Sequence, residues 1–164
     1  MVVDASVAQS SGNEGATDLT AQMCRKALLV IRDRQMSVVL SPAIIAEWKA
    51  HQSRFARLWL HEMYGRRRVV KVLPRSQEQL RREISKSDPK SAQVMMKDLL
   101  LVEAALDSDK RILSRDAAAR DCYQALATPR RELRAIHWGT PTDPPCMVWL
   151  ESGAPEEGSF RLGQ

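Results

Sequence analysis

Ser37-Val38-Val39-Leu40-Ser41-Pro42 decides the fold class: a β-branched apolar run ends at a hydroxyl residue and meets proline at once. Valine-rich runs suit the pleated strand, and proline suits the first turn of a helix, where its missing N–H is not needed. A strand feeding directly into a helix is predicted, and that helix carries Glu47. It is read as continuing through Trp48, Phe55, Leu58 and Trp59 to a left-handed cap at Gly65.

The same pattern repeats on both sides. Upstream, Met1-Val2-Val3-Asp4 is a short apolar run closed by an acid, followed by a loop over Ser10–Gly15. A helix is then predicted from a Thr17/Asp18 cap to about Gln35, with Leu19, Met23, Ala27, Leu28 and Ile31 at helical spacing. Downstream, Val69–Leu73 reads as a strand stopped by Pro74, and Ser76–Ser85 as a charged helix opened by Ser76. Pro89 separates it from a long apolar helix, Ser91–Leu106, interrupted by Asp98. Arg111–Asp116 is another strand ending in an acid, an alanine-rich helix runs to about Ala127, and Arg134–Trp138 is a last strand.

Strands alternating with helices imply an α/β domain, three layers deep, around a mainly parallel sheet, because parallel neighbours need helical crossovers. Residues 1–138 form that domain. After Gly139 four prolines fall between Pro141 and Pro155 with little periodicity, so residues 139–164 are read as an irregular tail.

With 164 residues, 44% apolar and 27% charged, the chain has the balance of one globular domain. No apolar run approaches the ~20 residues that cross a bilayer, and no basic segment precedes the first apolar stretch, so a cytoplasmic address without membrane attachment is expected. Cys24, Cys122 and Cys146 are odd in number and widely spaced, which encodes neither a disulfide framework nor a zinc knuckle. The formal charge is +5; residues 1–150 carry 24 basic against 17 acidic side chains, so the basic character belongs to the folded part. It favours an anionic partner such as nucleic acid.

In parallel sheets ligands bind outside the carboxyl ends of the strands, where strand order reverses. Asp4 and Asp116 both close predicted strands, Glu47 sits about a turn into the helix after the second strand, and Asp98 breaks the apolar central helix. Four carboxylates gathered at one edge repel one another and resist burial unless a cation neutralises them. Hard oxygen donors favour Mg²⁺ or Mn²⁺, ions that also bridge to phosphates, and phosphodiester hydrolysis is the chemistry implied. Taken singly, each acid has another use: Asp116 caps a helix, and Asp4 stabilises a turn.

These fragments together resemble the PIN-domain family of nucleases over roughly Val2–Trp138. Val-Val-Asp4-Ala-Ser-Val-Ala is similar to the family's first strand and acid, and Ser41-Pro-Ala-Ile-Ile-Ala-Glu47-Trp to the segment supplying the second. Lys97-Asp98-Leu-Leu-Leu-Val-Glu resembles the helix of the third, and Arg111-Ile-Leu-Ser-Arg-Asp116 the strand that ends in a hydroxyl, one residue and the fourth acid. The resemblance implies a five-stranded parallel sheet between helices, with Asp4, Glu47, Asp98 and Asp116 as metal ligands. It also implies Mg²⁺- or Mn²⁺-dependent ribonuclease activity, as in toxins held inactive by an antitoxin. RNA is the expected substrate; an antitoxin, another protein or a second copy of the chain are candidate partners. The basic stretch Phe55–Lys90 and the proline-rich tail depart from a minimal toxin.

Around the acids, Ser6 and Ser114 are candidates to hydrogen-bond the carboxylates, although serine after a strand is also ordinary turn chemistry. Asp121 is an accessory candidate. Arg66, Arg67, Arg68, Arg75, Arg81 and Arg82 are candidate phosphate contacts, or simply a solvated face. A non-catalytic module that binds nucleic acid or protein through this basic stretch is the alternative function. His51 stands one turn after Glu47, but phosphate-binding glycine loops and the serine-hydrolase elbow are absent from the sequence.

Overall fold

The computed structural model describes residues 1–13, 15–156 and 158–163. Glu14 of the expected Ser10–Gly15 loop, and Glu157 and Gln164 of the tail, lie outside them. The apolar runs form strands of only two or three residues: β1 Val2–Val3, β2 Val38–Leu40, β3 Val69–Lys71, β4 Arg111–Leu113 and β5 His137–Gly139. They pair in one all-parallel sheet of order β3-β2-β1-β4-β5, with Val2 opposite both Val39 and Ile112. The chain walks outward from β1 to β3, then returns to place β4 on the other flank of β1. Strand order therefore reverses between β1 and β4, and the crevice of a parallel sheet opens beyond their carboxyl ends.

Helices fill every crossover. α1 Ala5–Ser10 and α2 Leu19–Asp33 join β1 to β2, and α3 Pro42–His51 and α4 Arg54–Gly65 join β2 to β3. α5 Glu78–Ile84 and α6 Pro89–Leu106 return to β4; α7 Ala117–Ala127 and α8 Arg131–Arg134 lead to β5, and α9 Pro144–Glu151 follows it. α1, α2, α4 and α9 pack as one set, and α5 through α8 as another, giving the expected three layers. Val2, Val3, Val38, Ile112 and Leu113 are fully buried because a sheet covered on both faces has no solvent side. Shortening a core side chain such as Leu28 to alanine costs about 2–5 kcal/mol.

Several boundaries differ from the sequence reading, each for a local reason. The chain does not turn after Asp4: α1 starts there, with Asp4 as its N-terminal flanking residue. The helix bearing Glu47 stops at His51, and Ser53 starts α4 by accepting the Ala56 N–H, so one expected helix is two. Gly65 is the last residue of α4, and the left-handed position falls on Arg67 (φ 57°), where the Arg67 N–H reaches Tyr64 O and the Arg68 N–H reaches Met63 O. α6 begins at Pro89, two residues before the predicted start, with Asp88 as its cap. Ser76 does not cap α5; Gln77 holds that position, and the Ser76 hydroxyl donates to Glu78.

The largest difference lies in the tail. Asp143-Pro144-Pro145 opens α9, and Cys146, Met147, Trp149 and Leu150 are buried against the body. Prolines taken as breakers are first-turn residues here. Gly139 makes the fit possible: a Cβ there would lie 2.8 Å from Cys146 Sγ and 2.9 Å from the Trp149 ring. Residues 139–164 are thus not uniformly irregular; their first half completes the core.

Candidate metal centre

Asp4 reaches the crevice because the Asp4 N–H donates to Leu113 O at 2.9 Å, extending the β1–β4 ladder by one residue. Its carboxylate is fixed by two hydroxyls on the same oxygen. Ser6 Oγ and Ser114 Oγ both donate to Asp4 Oδ2, the latter at 2.7 Å across 110 residues of chain. Each hydroxyl also accepts a backbone N–H from the β4–α7 turn: Arg115 to Ser6 at 3.2 Å, and Asp116 to Ser114 at 3.1 Å. The two serines predicted beside the acids therefore lock the β1 end to the β4 end.

Asp116 follows that turn and caps α7, its Oδ1 accepting the Ala119 N–H at 2.9 Å. Its Oδ2 faces Lys97 Nζ at 3.6 Å. Capping and cluster membership, posed as alternatives by the sequence, are divided between its two oxygens.

Asp98 is the buried member, with 4% of its surface exposed. Its Oδ2 has no hydrogen-bond partner, unusual for a buried polar atom and costly in free energy. Burial pushes the carboxyl up to about 7, with further upward pushes from Asp4, Asp116 and, least of these three, Glu47; Lys97 pulls the other way. Those influences put each of the other three sequence-selected acids within electrostatic reach of Asp98. Tyr123 keeps α6 and α7 in register by donating its hydroxyl to Met95 O at 2.7 Å.

Glu47 is held more loosely. Trp48, fully buried beside it, pins α3 to β1 by donating its indole N–H to Val3 O at 2.9 Å. That phase turns Glu47 outward, half exposed, with His51 Nε2 at 3.7 Å from its carboxylate.

The four side chains offer only hard oxygens, and Asp98 supplies a buried oxygen without a partner, so the donor chemistry fits Mg²⁺ or Mn²⁺. As the side chains stand, no group of three or more acidic, histidine or cysteine side chains among the described residues is drawn into a ligand set. The reason is visible in their partners. Asp4 is pulled toward the serines, Asp116 toward its cap and Lys97, and Glu47 toward His51, while like charges oppose closer approach.

The other candidates separate clearly. Asp121 is exposed and paired with Arg120 at 3.2 Å, and its charge is not among those that shift Asp98. Arg66, Arg67 and Arg68 precede β3, so they stand at the amino end of the parallel sheet, opposite the acids. Arg66 pairs with Glu62 and Arg68 with Gln35. Arg75 is bound to Asp107 and Arg81 to Glu103, near the far end of α6; Arg82 lies on the same short helix, α5, as Arg81.

The cations that do flank the crevice are Lys97 and Arg115. Lys97 is next to Asp98 in sequence and 75% exposed, while Arg115 lies between Ser114 and Asp116 and donates to Ser10 Oγ. Both were overlooked in favour of longer basic runs; adjacency to the acids was the signal that could have found them. Cys24 and Cys146 are buried, and burial pushes their thiols up to about 11 and about 12, far from a nucleophile's range. No helix among the described residues is long and apolar enough to cross a membrane. No protein-family model, curated protein or solved structure matches this chain.

Proposed function

We propose that this chain is a metal-dependent endoribonuclease of the PIN-domain kind. The observation that carries the reading is the meeting of Asp4, Asp98 and Asp116 where strand order reverses, with a buried Asp98 oxygen left without a partner. A structural role alone gives no reason to bring two further carboxylates toward a buried one whose Oδ2 has no partner, because their repulsion costs stability.

Asp4, Asp98 and Asp116, with Glu47 at the rim, would hold Mg²⁺ or Mn²⁺. The bound ion supplies charge to position a water and to stabilise the phosphoryl oxygens in the transition state. Ser6 and Ser114 fix the Asp4 carboxylate by engaging Oδ2 only, which leaves Oδ1 outside both bonds. Supports of this kind orient a ligand and tune its basicity. Asp98 carries a proton more readily than an ordinary carboxyl, so it must give that proton up to act as a ligand. Lys97 and Arg115 stand at the rim, where single-stranded backbone phosphates would be drawn in without regard to sequence.

The test is Mn²⁺-dependent cleavage of a single-stranded RNA oligonucleotide by the full chain and by Asp4→Asn and Asp98→Asn, with folding checked by circular dichroism. Cleavage falls to background in both folded variants. Activity retained by both overturns the proposal, and RNA binding without cleavage in Mg²⁺ or Mn²⁺ favours a non-catalytic binding module.

A further inference from the structure

The two lateral edges of the sheet are finished differently. At β5 the tail returns: Arg161 forms an antiparallel bridge with His137, and the Leu162 N–H donates to Ile136 O at 2.9 Å. At β3 no strand lies beyond among the described residues. Arg68 O accepts from Val38 N and Val72 N donates to Leu40 O, so the even-numbered residues of β3 face β2. Backbone direction alternates along a strand, which turns the N–H and C=O groups of Val69 and Lys71 outward.

This open edge also carries apolar surface: Val70 is 44% exposed and Leu73 84%. Natural sheets guard such an edge with shortness, lysine and proline, and β3, three residues long with Lys71 and followed by Pro74, carries all three, which discourages chance pairing while leaving the outward groups of Val69 and Lys71 open to a strand of matching charge. Its charge narrows the choice of occupant. From Met63 to Gln77 the chain has five cations and no acid; Arg66 and Arg75 are held by Glu62 and Asp107, while Arg67, Arg68 and Lys71 have no carboxylate partner among the described residues. A second copy would set two such clusters face to face, and like charges across a strand pair are destabilising. A nucleic acid would meet the cations but offers no ladder of alternating peptide donors and acceptors to match Val69 and Lys71.

We propose that β3 is a docking edge for an extended acidic segment of a partner protein, which adds as a sixth strand beside Val69 and Lys71. Main-chain bonds hold the segment, its apolar side chains cover Val70 on one face, and its carboxylates, alternating onto the other face, meet Lys71, with Arg67 and Arg68 just before the strand. The surface is separate from the acidic crevice and does not depend on its chemistry.

A fluorescent ten-residue peptide alternating valine and glutamate, titrated onto the full chain, tests it. The acidic peptide binds, and its lysine counterpart does not. Lys71→Pro removes one outward N–H without touching the β2 ladder, and it weakens binding at least about tenfold relative to Lys71→Thr, which loses the same charge but keeps the N–H. Val70→Ser, which removes the apolar side chain that the segment covers, weakens binding independently if Lys71→Pro does not fold. Equal binding by Lys71→Pro and Lys71→Thr, no binding by the parent, a dimer in sedimentation, or an RNA oligonucleotide lost in place of the peptide on Lys71→Pro overturns the proposal.

Discussion

The amino and carboxyl ends of this sheet use similar charges to opposite effect. At the amino end opposite charges meet: the Met1 amine lies 2.5 Å from Asp109, Arg111 also reaches Asp109, Arg75 is bound to Asp107, and Arg66 to Glu62. At the carboxyl end Asp4 and Asp116 both press on the buried Asp98, with Lys97 as the cation that offsets them. One end is arranged for holding the fold together and the other against it. Such a local cost is what the proposed metal site would relieve.

The sharpest way to break the contrast is to remove a charge from each end. Asp98→Asn takes RNA cleavage to background, whereas replacing Arg66, Arg67 and Arg68 together by alanine leaves the rate within about threefold of the parent, since those cations face away from the crevice. Comparable losses from both changes would mean that substrate reaches the amino end.

Ser114→Ala is expected to come next. It withdraws a hydroxyl from Asp4 and from the Asp116 N–H, and loss of a supporting bond of this type lowers metal affinity by about 10- to 100-fold. The signature is a raised Mn²⁺ requirement, with much of the rate recovered at saturating ion.

Stability should follow pH in a sense set by Asp98. The folded chain keeps the Asp98 proton up to about 7, while the unfolded chain releases it near the ordinary aspartate value of 3.8. Between those values the folded state binds more protons, so the contribution is present at low pH and is lost as pH rises through about 7. Asp98→Asn removes that loss. In urea titrations the variant is more stable than the parent at about pH 8, by at most about 4 kcal/mol, and the gap closes toward pH 4. A gap independent of pH would refute the assignment.

The smallest effect is electrostatic. Lys97→Ala removes one rim cation, so the salt dependence of single-stranded RNA binding loses about 0.7 from its logarithmic slope. An unchanged slope would place the phosphates elsewhere.

The acids were legible because each has a marked place in the chain: Asp4 and Asp116 close valine- or isoleucine-containing runs, and Asp98 interrupts an apolar helix. The parallel sheet was legible from strand-to-helix junctions such as Leu40-Ser41-Pro42. What escaped depends on contacts remote in sequence. Ser53 is a favoured capping residue, but with neither glycine nor proline beside it the apolar spacing from Trp48 to Trp59 reads on as one helix. α9 looked irregular because its prolines are read without sight of the Gly139 surface that receives Trp149. The arginines before β3 drew notice for their charge alone, although residues that precede a parallel strand stand at the end away from the crevice.

The 110-residue span bridged by the bond between Ser114 and Asp4 has a consequence for synthesis. β1 is made first, yet its second neighbour, β4, exists only after Leu113 has been added. At about 5–20 residues per second, translation leaves Asp4 without its strap for roughly 5 to 20 seconds. During that interval the acids lie on an unfinished sheet, so the crevice is a late product of the ribosome and no shorter amino-terminal piece can assemble it.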